Sequence, residues 1–203
     1  MPKKNTRNTR GRIISAAWKL FYENGYEETT IEDILFESGT SRGSFYHYFE
    51  GKGALLGTLA YVFDEKYEEL EKELDPRLGA IEKLIWLNHE LFLMIEESIS
   101  LDLLSRLLAT QLTSQGEKHL LDRSRKYFRL LRKIVLEGRK NGEFRTDMTE
   151  NEITRAYALW ERALLYDWCL CGGEYSLVGY TDRRTPEYLW TFGRKDEAVS
   201  EKI

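Results

Sequence analysis

The sequence predicts an all-α protein with an N-terminal helix-turn-helix head, about residues 1–53, and a helical body, about residues 54–203. Three observations support this fold class. Apolar residues recur at helical spacing along nearly the whole chain, no segment alternates apolar and polar residues over the length of a strand, and proline occurs only as Pro2, Pro76 and Pro186. The 203 residues suffice for a sizeable core, in one domain or in a small head with a larger body.

Three helices are predicted for the head. The first runs from about Thr9 to Asn24 and ends at Gly25; its apolar stripe consists of Ile13, Ala16, Ala17, Leu20 and Phe21. The second begins at Thr29, whose spacing from Glu32 fits a capping box, and it ends near Gly39. Ser41 is a suitable N-cap for a third helix of about two turns.

The body is predicted to contain longer helices. A fourth helix follows Gly51 and continues to about Leu74, with Pro76 beyond its end. Further helices are predicted over 78–97, 100–114, 117–140 and 149–171, and glycines at 142, 172 and 173 mark the ends of the last two. Residues 174–185 are predicted to be irregular, with Pro186 in the first turn of a final helix.

Positive charge is concentrated at the N-terminus, although the formal net charge is −4. Residues 1–20 carry no Asp or Glu, and their basic residues are Lys3, Lys4, Arg7, Arg10, Arg12 and Lys19. A protein that contacts DNA with one end needs positive charge only there. A basic disordered tail is the alternative explanation.

The third predicted helix has the composition of a recognition helix. Phe45 and Phe49 are four residues apart and would pack inward, which leaves the outward face to Arg42, Ser44, Tyr46 and His47. Arginine suits guanine edges or phosphate, and the other three suit phosphate oxygens. Gly43 would let the backbone approach DNA closely. An ordinary helical packing unit is the alternative.

The residues of this region resemble the TetR family of transcriptional regulators. The matching pattern is Thr29-Thr30-Ile31-x-x-Ile34, then Ser38 through Phe49 without a break, then Lys52 and Leu55, preceded by Phe21-x-x-x-Gly25-Tyr26. A second, weaker element is Gly138-x-x-x-Gly142-Glu143-Phe144-Arg145-x-Asp147, which resembles the turn between two long helices of that family. Leu35, Thr40 and Gly53-Ala54 depart from the family pattern, and Gly179 and Pro186 interrupt the usual last helix.

The resemblance implies a role for each matching residue. Thr30, Tyr46, His47 and Lys52 would bind phosphates, and Ser41, Arg42 and Ser44, with Gly43 between them, would lie at base edges or nearby backbone. It also implies a homodimer whose two heads contact a roughly palindromic operator. A cytoplasmic location is predicted separately, because the only two cysteines are too close together to staple the fold and the N-terminus has no secretory signal. The implied function is a repressor released from DNA by a small-molecule effector, without cofactor or enzymatic activity.

Aromatic side chains of the body are candidates for an effector pocket that takes a small hydrophobic or aromatic molecule. The candidates are Trp86, His89, Phe92, Tyr127 and Trp160. Each of them could equally belong to the core or to the dimer interface, because aromatic residues at helical spacing are common in cores. A regulator controlled by a protein partner, without a pocket, is a second function class.

Other chemistry finds little support in the sequence. No nucleophile motif, phosphate-binding glycine loop or pair of metal-binding residues occurs, although a helical enzyme that shares only the outline of the head is the third class considered. Cys169 and Cys171 point about 200° apart on a helix and do not converge on a metal ion. The chain has no apolar run of about 18 residues and no secretory signal. The basic face of 117–140 is interpreted as a solvated helix face, with an anionic ligand or nucleic acid as alternatives.

Overall fold

The computed structural model describes residues 9–113 and 118–194, and within these ranges the regular structure is almost entirely α-helical. The helices are α1 (Thr9–Asn24), α2 (Ile31–Ser38), α3 (Arg42–Tyr48), α4 (Lys52–Leu56), α5 (Leu59–Glu73), α6 (Ala80–Ser98), α7 (Leu101–Thr113), α8 (Lys126–Lys140), α9 (Glu150–Leu170) and α10 (Leu177–Trp190). A 3₁₀ turn covers His119–Leu121. The all-α prediction is confirmed. The basic residues Lys3, Lys4 and Arg7 lie outside the described residues.

The chain divides into two compact units. The head unit is Met1–Val62 with Ile99–Leu120, and the body unit is Phe63–Ser98 with Leu121–Ile203. The head unit therefore includes α7, which the sequence places far from the helix-turn-helix. The predicted boundary after residue 53 stays a prediction.

The core of the head unit is formed by α1, α2 and α3, with α4 and α7 beside them. Its fully buried side chains include Ile13, Phe21, Ile34, Phe45 and Leu55. The Trp18 indole donates a buried hydrogen bond of 2.7 Å to Oγ1 of Thr58. Ile13 and Phe21 lie on the apolar stripe predicted for α1, and Phe45 lies on the predicted inward face of α3. Two residues of α1 differ from the prediction, since Trp18 is buried outside the predicted stripe and Leu20 is only half-buried.

The body unit has its core between α6, α8, α9 and α10. Gly138 lets α8 approach α6 closely, because a Cβ built there would lie 2.4 Å from Cβ of Ala80 and 2.5 Å from the Phe144 ring. The Phe144 side chain is 1% exposed, and its backbone forms an isolated antiparallel bridge with Gly193. The Gly142 backbone has φ +75°, which glycine adopts without strain. The motif that begins at Gly138 is thus a packing element.

Two predictions for the first half of the chain were wrong. The capping box at the start of α2 joins Thr30 to Asp33, not Thr29 to Glu32. Thr29 is buried and its hydroxyl donates to the carbonyls of Gly25 and Leu20, so this side chain is not free to cap the helix. The predicted fourth helix is two helices, α4 and α5, interrupted between Leu56 and Leu59. Thr58 at that interruption is held by Trp18 and donates to the carbonyl of Leu55.

The C-terminal half differs from the prediction in two places. Residues 177–190 form one helix, α10, with Ser176 as its N-cap and Pro186 inside it. The buried residues of α10 recur every four positions, as Leu177, Thr181, Thr185 and Leu189, and this burial outweighs the hydrogen bond that proline removes. The irregular stretch predicted over 174–185, and the interruption at Gly179, were therefore wrong. The helix predicted from residue 117 begins instead at Lys126, after the 3₁₀ turn.

Candidate functional site

The turn ahead of α3 is fixed by the backbone and by one arginine. Gly39 ends α2 with φ 58°, a left-handed conformation that favours glycine. Arg12 of α1 donates to the carbonyls of Ser38 and Gly39, the latter at 2.8 Å. Ser41 then caps α3 by accepting a hydrogen bond from the Ser44 backbone N–H. The start of α3 is therefore held at a defined position on the head unit.

The side chains of α3 separate into a buried and an exposed face. Phe45 and Phe49 are buried, with ring centroids 5.7 Å apart. Arg42, Tyr46 and His47 are exposed, with Tyr46 at 48%. Ser44 is half-buried, and its hydroxyl lies 2.9 Å from that of Ser41. Gly43 is open, since a Cβ there would have no neighbour within 4 Å. The face offers a guanidinium, a phenol and an imidazole to a ligand such as DNA.

Arg42 is held by an acidic neighbour. Its guanidinium donates to the carboxylate of Glu32 on α2, at 2.5 Å, and both side chains are about two-thirds exposed. The pair orients Arg42 along the surface while leaving it accessible to solvent. An exposed ion pair of this kind is weak, about 0.2–1 kcal/mol, and can be exchanged for a phosphate or a base edge.

Thr30 and Lys52, both predicted to bind phosphate, have protein partners. The Thr30 hydroxyl donates to Oδ2 of Asp33 at 2.6 Å, and these hydrogen bonds to Thr30 lower the pKa of the Asp33 carboxyl. The Lys52 ammonium donates to the carbonyls of residues 26, 27 and 29, at 2.7, 3.2 and 3.0 Å, which uses all three of its N–H groups. Lys52 thus joins α4 to the segment before α2. Their phosphate contacts stay a prediction.

The five candidate effector residues differ in their burial and in their side-chain contacts. Phe92 and Tyr127 are buried, and Trp86, His89 and Trp160 are half-buried. The imidazole of His89 lies 2.8 Å from a carboxylate oxygen of Asp182 near the surface. The indole of Trp160 stacks on Tyr188 with ring centroids 4.4 Å apart. Their role in an effector pocket therefore stays a prediction.

The body unit contains a buried polar cluster that the sequence analysis missed. Glu161 is 3% exposed and accepts hydrogen bonds from Asn88, at 3.0 Å, and from the Tyr127 hydroxyl, at 2.6 Å. Asn88 in turn accepts from Thr185, which accepts from the Trp160 indole. This series of hydrogen bonds connects two of the predicted residues, Tyr127 and Trp160.

Burial dominates the chemistry of this cluster. It raises the pKa of Glu161, although the hydrogen bonds from Asn88 and Tyr127 oppose the rise. The hydroxyl of Tyr67, whose ring lies 5.1 Å from that of Tyr127, is buried without a hydrogen-bond partner. A sequence signal did exist, because Glu161 falls on the apolar stripe of α9 with Tyr157 and Trp168. A carboxylate on such a stripe indicates a buried polar site.

A cavity of about 340 Å³ lies between α8 and α9. Its lining comprises Leu121, Arg123, Phe128, Arg132, Asn151, Thr154, Arg155, Ala158 and Arg162. Two of these arginines, Arg123 and Arg132, belong to the basic face that the sequence places over 117–140. Other members of that face are paired with acidic residues, since Arg125 contacts Asp64 and both Lys126 and Lys133 contact Glu71.

Among the described residues, no group of three or more His, Cys, Asp or Glu side chains is placed to hold a metal ion. In the same part of the chain no helix combines the length and the apolarity needed to cross a membrane.

Comparisons with known proteins match the N-terminal region first. Residues 13–59 match the family model described as "Bacterial regulatory proteins, tetR family". A Pseudomonas putida protein, the probable HTH-type transcriptional regulator ArpR, is 37% identical over 89 residues, which cover 41% of this chain and 42% of that protein. The aligned segment thus spans about two fifths of that relative's length.

Longer alignments reach the body. The fatty acid metabolism regulator protein of Bacillus subtilis is 27% identical over 138 residues, covering 66% of this chain and 70% of the relative. The crystal structure of Thermus thermophilus FadR, a transcriptional repressor in complex with lauroyl-CoA, superposes with a TM-score of 0.75 and 22% identity. That superposition covers 96% of this chain and 100% of FadR, and it shows that the two share a fold.

Proposed function

Because this chain belongs to the TetR family of bacterial regulatory proteins, we propose that it is a sequence-specific DNA-binding transcription regulator. The observation that carries the proposal is the exposed face of α3, where Arg42, Tyr46 and His47 project from a helix fixed by Ser41 and Gly39. A helix held in this way can enter the major groove, with its outward side chains at bases and phosphates. We propose that the protein binds DNA in the cytoplasm and acts through this binding rather than as an enzyme.

The protein is proposed to act as a homodimer. Leu159 and Leu170 on α9 are 58% and 85% exposed, and Trp190 on α10 is 61% exposed. Large apolar side chains left in water on neighbouring helices are typical of a surface that a partner covers. A two-fold dimer would bind two half-sites about 34–36 Å apart, so the operator is expected to be a rough palindrome.

Repression is proposed to end when a small hydrophobic effector binds the body. Two of the compared proteins support a fatty-acyl compound, since one is named for fatty acid metabolism and the other holds lauroyl-CoA. An effector releases DNA only if it prefers the conformation that does not bind DNA. A preference of about 100-fold corresponds to about 2.7 kcal/mol per site.

The test is selection of duplex DNA from a random pool by the purified protein at about 150 mM salt, near physiological ionic strength. We expect enrichment of a palindrome with the half-site spacing given above. If a folded, dimeric, ligand-free protein enriches no sequence, the proposal fails and α3 is a structural helix.

Substitutions on α3 then assign roles to its side chains. Tyr46→Phe is expected to weaken binding to all duplexes alike, because it removes a phosphate donor, whereas Tyr180→Phe in the body unit should change nothing. Arg42→Ala is expected to cost about 1–3 kcal/mol and to relax the preference at one base pair. An equal loss on every operator variant would instead make Arg42 a phosphate ligand.

A further inference from the structure

We infer that the cavity between α8 and α9 binds a phosphate-bearing small molecule through its four arginines. Arg123, Arg132, Arg155 and Arg162 all line this space, and its lining contains no Asp or Glu. The proposed anion site consists of residues of the body unit alone. The additional claim that the anion is part of the effector rests on the function proposed above.

The arginines converge because of helical spacing on two helices. Phe128 and Arg132 are four residues apart and share one face of α8. Thr154, Ala158 and Arg162 recur every four residues on α9, and Arg155 lies beside them. The segment ahead of α8 contributes Arg123. Three separate stretches of chain thus bring positive charge to one place.

In the described part of the chain these four arginines lack the close ion-pair partners that neighbouring basic residues have, although Arg162 interacts electrostatically with the carboxyl of Glu161. Arg125 and Lys126 pair with Asp64 and Glu71, but within residues 9–113 and 118–194 no carboxylate forms an ion pair with any of the four. Guanidinium groups around one cavity repel one another. A bound oxyanion would remove that repulsion, and the planar fork of arginine donors matches phosphate and carboxylate oxygens.

A second observation points to a ligand in the same place. Thr154 lines the cavity, is 4% exposed, and its hydroxyl is buried without any hydrogen-bond partner. A buried hydroxyl without a partner is unfavourable, because it has lost its bonds to water. A ligand oxygen that accepts from Thr154 would satisfy it.

The rest of the lining limits the class of ligand. Leu121, Phe128 and Ala158 add apolar surface, and Asn151 adds an amide that can donate and accept. A space of about 340 Å³ holds a phosphorylated group together with a small adjoining apolar or planar part. Four positive charges favour at least two negative charges on the ligand, as a diphosphate carries, over a single carboxylate.

The experiment measures binding to the full-length protein by titration calorimetry, with ionic strength matched by NaCl. The probes are inorganic pyrophosphate and coenzyme A, with citrate as a polycarboxylate of similar charge. We expect pyrophosphate and coenzyme A to bind, and Arg155→Gln, at an exposed position that tolerates substitution, to weaken both at least tenfold. Arg129→Gln, an exposed arginine of α8 outside this cavity, should change affinity less than twofold. Tighter binding of citrate than of pyrophosphate would overturn the assignment to phosphate.

Thr154→Val provides a readout that a merely structural residue would not give. It should raise the melting temperature of the ligand-free protein, because an unpartnered hydroxyl is removed, and it should weaken binding of pyrophosphate. No binding of any probe at millimolar concentration, or equal losses in Arg129→Gln and Arg155→Gln, would overturn the inference.

The operator-binding assay separates the two proposals. Anion binding without loss of DNA affinity supports the cavity and refutes its link to release, whereas failure to bind DNA at all leaves the calorimetric result intact.

Discussion

Replacement of Glu32 by glutamine is expected to tighten DNA binding. The Glu32 carboxylate lies 2.5 Å from the Arg42 guanidinium in the free protein, and Arg42 must give up this partner when α3 enters the groove. The ion pair therefore opposes binding. Glutamine keeps the size of the side chain and removes its charge, so Arg42 would meet DNA without first breaking an ion pair.

The magnitude follows from the exposure of the pair. Exposed ion pairs contribute about 0.2–1 kcal/mol, which converts to a factor of about 1.4–5 in Kd. The two side chains are 65% and 64% exposed, so screening by solvent and salt places the expected gain in the lower part of that range. Glu32 also lies in the first turn of α2, where the helix dipole favours negative charge. The variant should therefore lose about 0.3–1 kcal/mol of unfolding free energy while it gains affinity.

Fluorescence anisotropy with the selected operator at about 150 mM salt would measure the change. Glu187→Gln is the matched control, because Glu187 pairs with Arg184 at 2.8 Å in the body unit and should leave DNA affinity unchanged. A double-mutant cycle with Arg42→Ala isolates the pair. The gain from Glu32→Gln should shrink when Arg42 is absent. Weaker binding of the Glu32→Gln protein, or the same gain without Arg42, would refute this reasoning.

Three further outcomes are expected from the packing. Gly138→Ala should lower the unfolding free energy by about 1–3 kcal/mol and the melting temperature by about 2–12 °C, because the added methyl group would lie 2.4 and 2.5 Å from side-chain atoms. Gly43→Ala is the control in the same thermal melt, and it should not lower the melting temperature because Gly43 lies in open space. Lys52→Met should lower the unfolding free energy, measured by urea unfolding, by about 1–3 kcal/mol, because three backbone carbonyls lose their hydrogen-bond donor. Unchanged stability together with weaker DNA binding would instead make Lys52 a phosphate ligand. Burial raises the pKa of Glu161, so the folded state binds more protons than the unfolded state, and the unfolding free energy of the wild type should fall as pH rises above about 4.5. Glu161→Gln should flatten this dependence of unfolding free energy on pH, measured by urea unfolding at several pH values. An unchanged pH dependence would contradict the burial argument.

Helical spacing and capping residues predict most of the elements of this chain. The predicted bounds of the first helix, Thr9 and Asn24, agree with α1, and both faces of α3 follow from the four-residue spacing of Phe45 and Phe49. These features depend on local periodicity and local hydrogen bonds, which a sequence displays directly. Arg42, Tyr46 and His47 could be placed on the outward face for the same reason.

The errors arise where tertiary contacts decide. The capping box of α2 begins one residue later than predicted, because the Thr29 hydroxyl donates to the carbonyl of Leu20 in α1 and to that of Gly25 in the turn after it. No local sequence pattern shows these two hydrogen bonds. The helix continues through Pro186 because Thr181 and Thr185 are buried, and threonines on an otherwise polar segment do not predict burial. Partners also remain hidden in the sequence. Neither the pair of Arg42 with Glu32 nor the three carbonyls around Lys52 can be derived from spacing alone.

The inclusion of α7 in the head unit limits how this protein can be recombined with its relatives. Arg106 of α7 forms an ion pair of 2.7 Å with Glu27 and lies over the ring of Tyr26, and both partners precede the helix-turn-helix in sequence. Residues 63–98 intervene between the two stretches of that unit. A chimera spliced near residue 53, with the remainder supplied by another regulator, would exchange α7 for a foreign helix and lose both contacts. Domain-swapped biosensors built on this chain should therefore retain residues 99–120 together with the N-terminal segment.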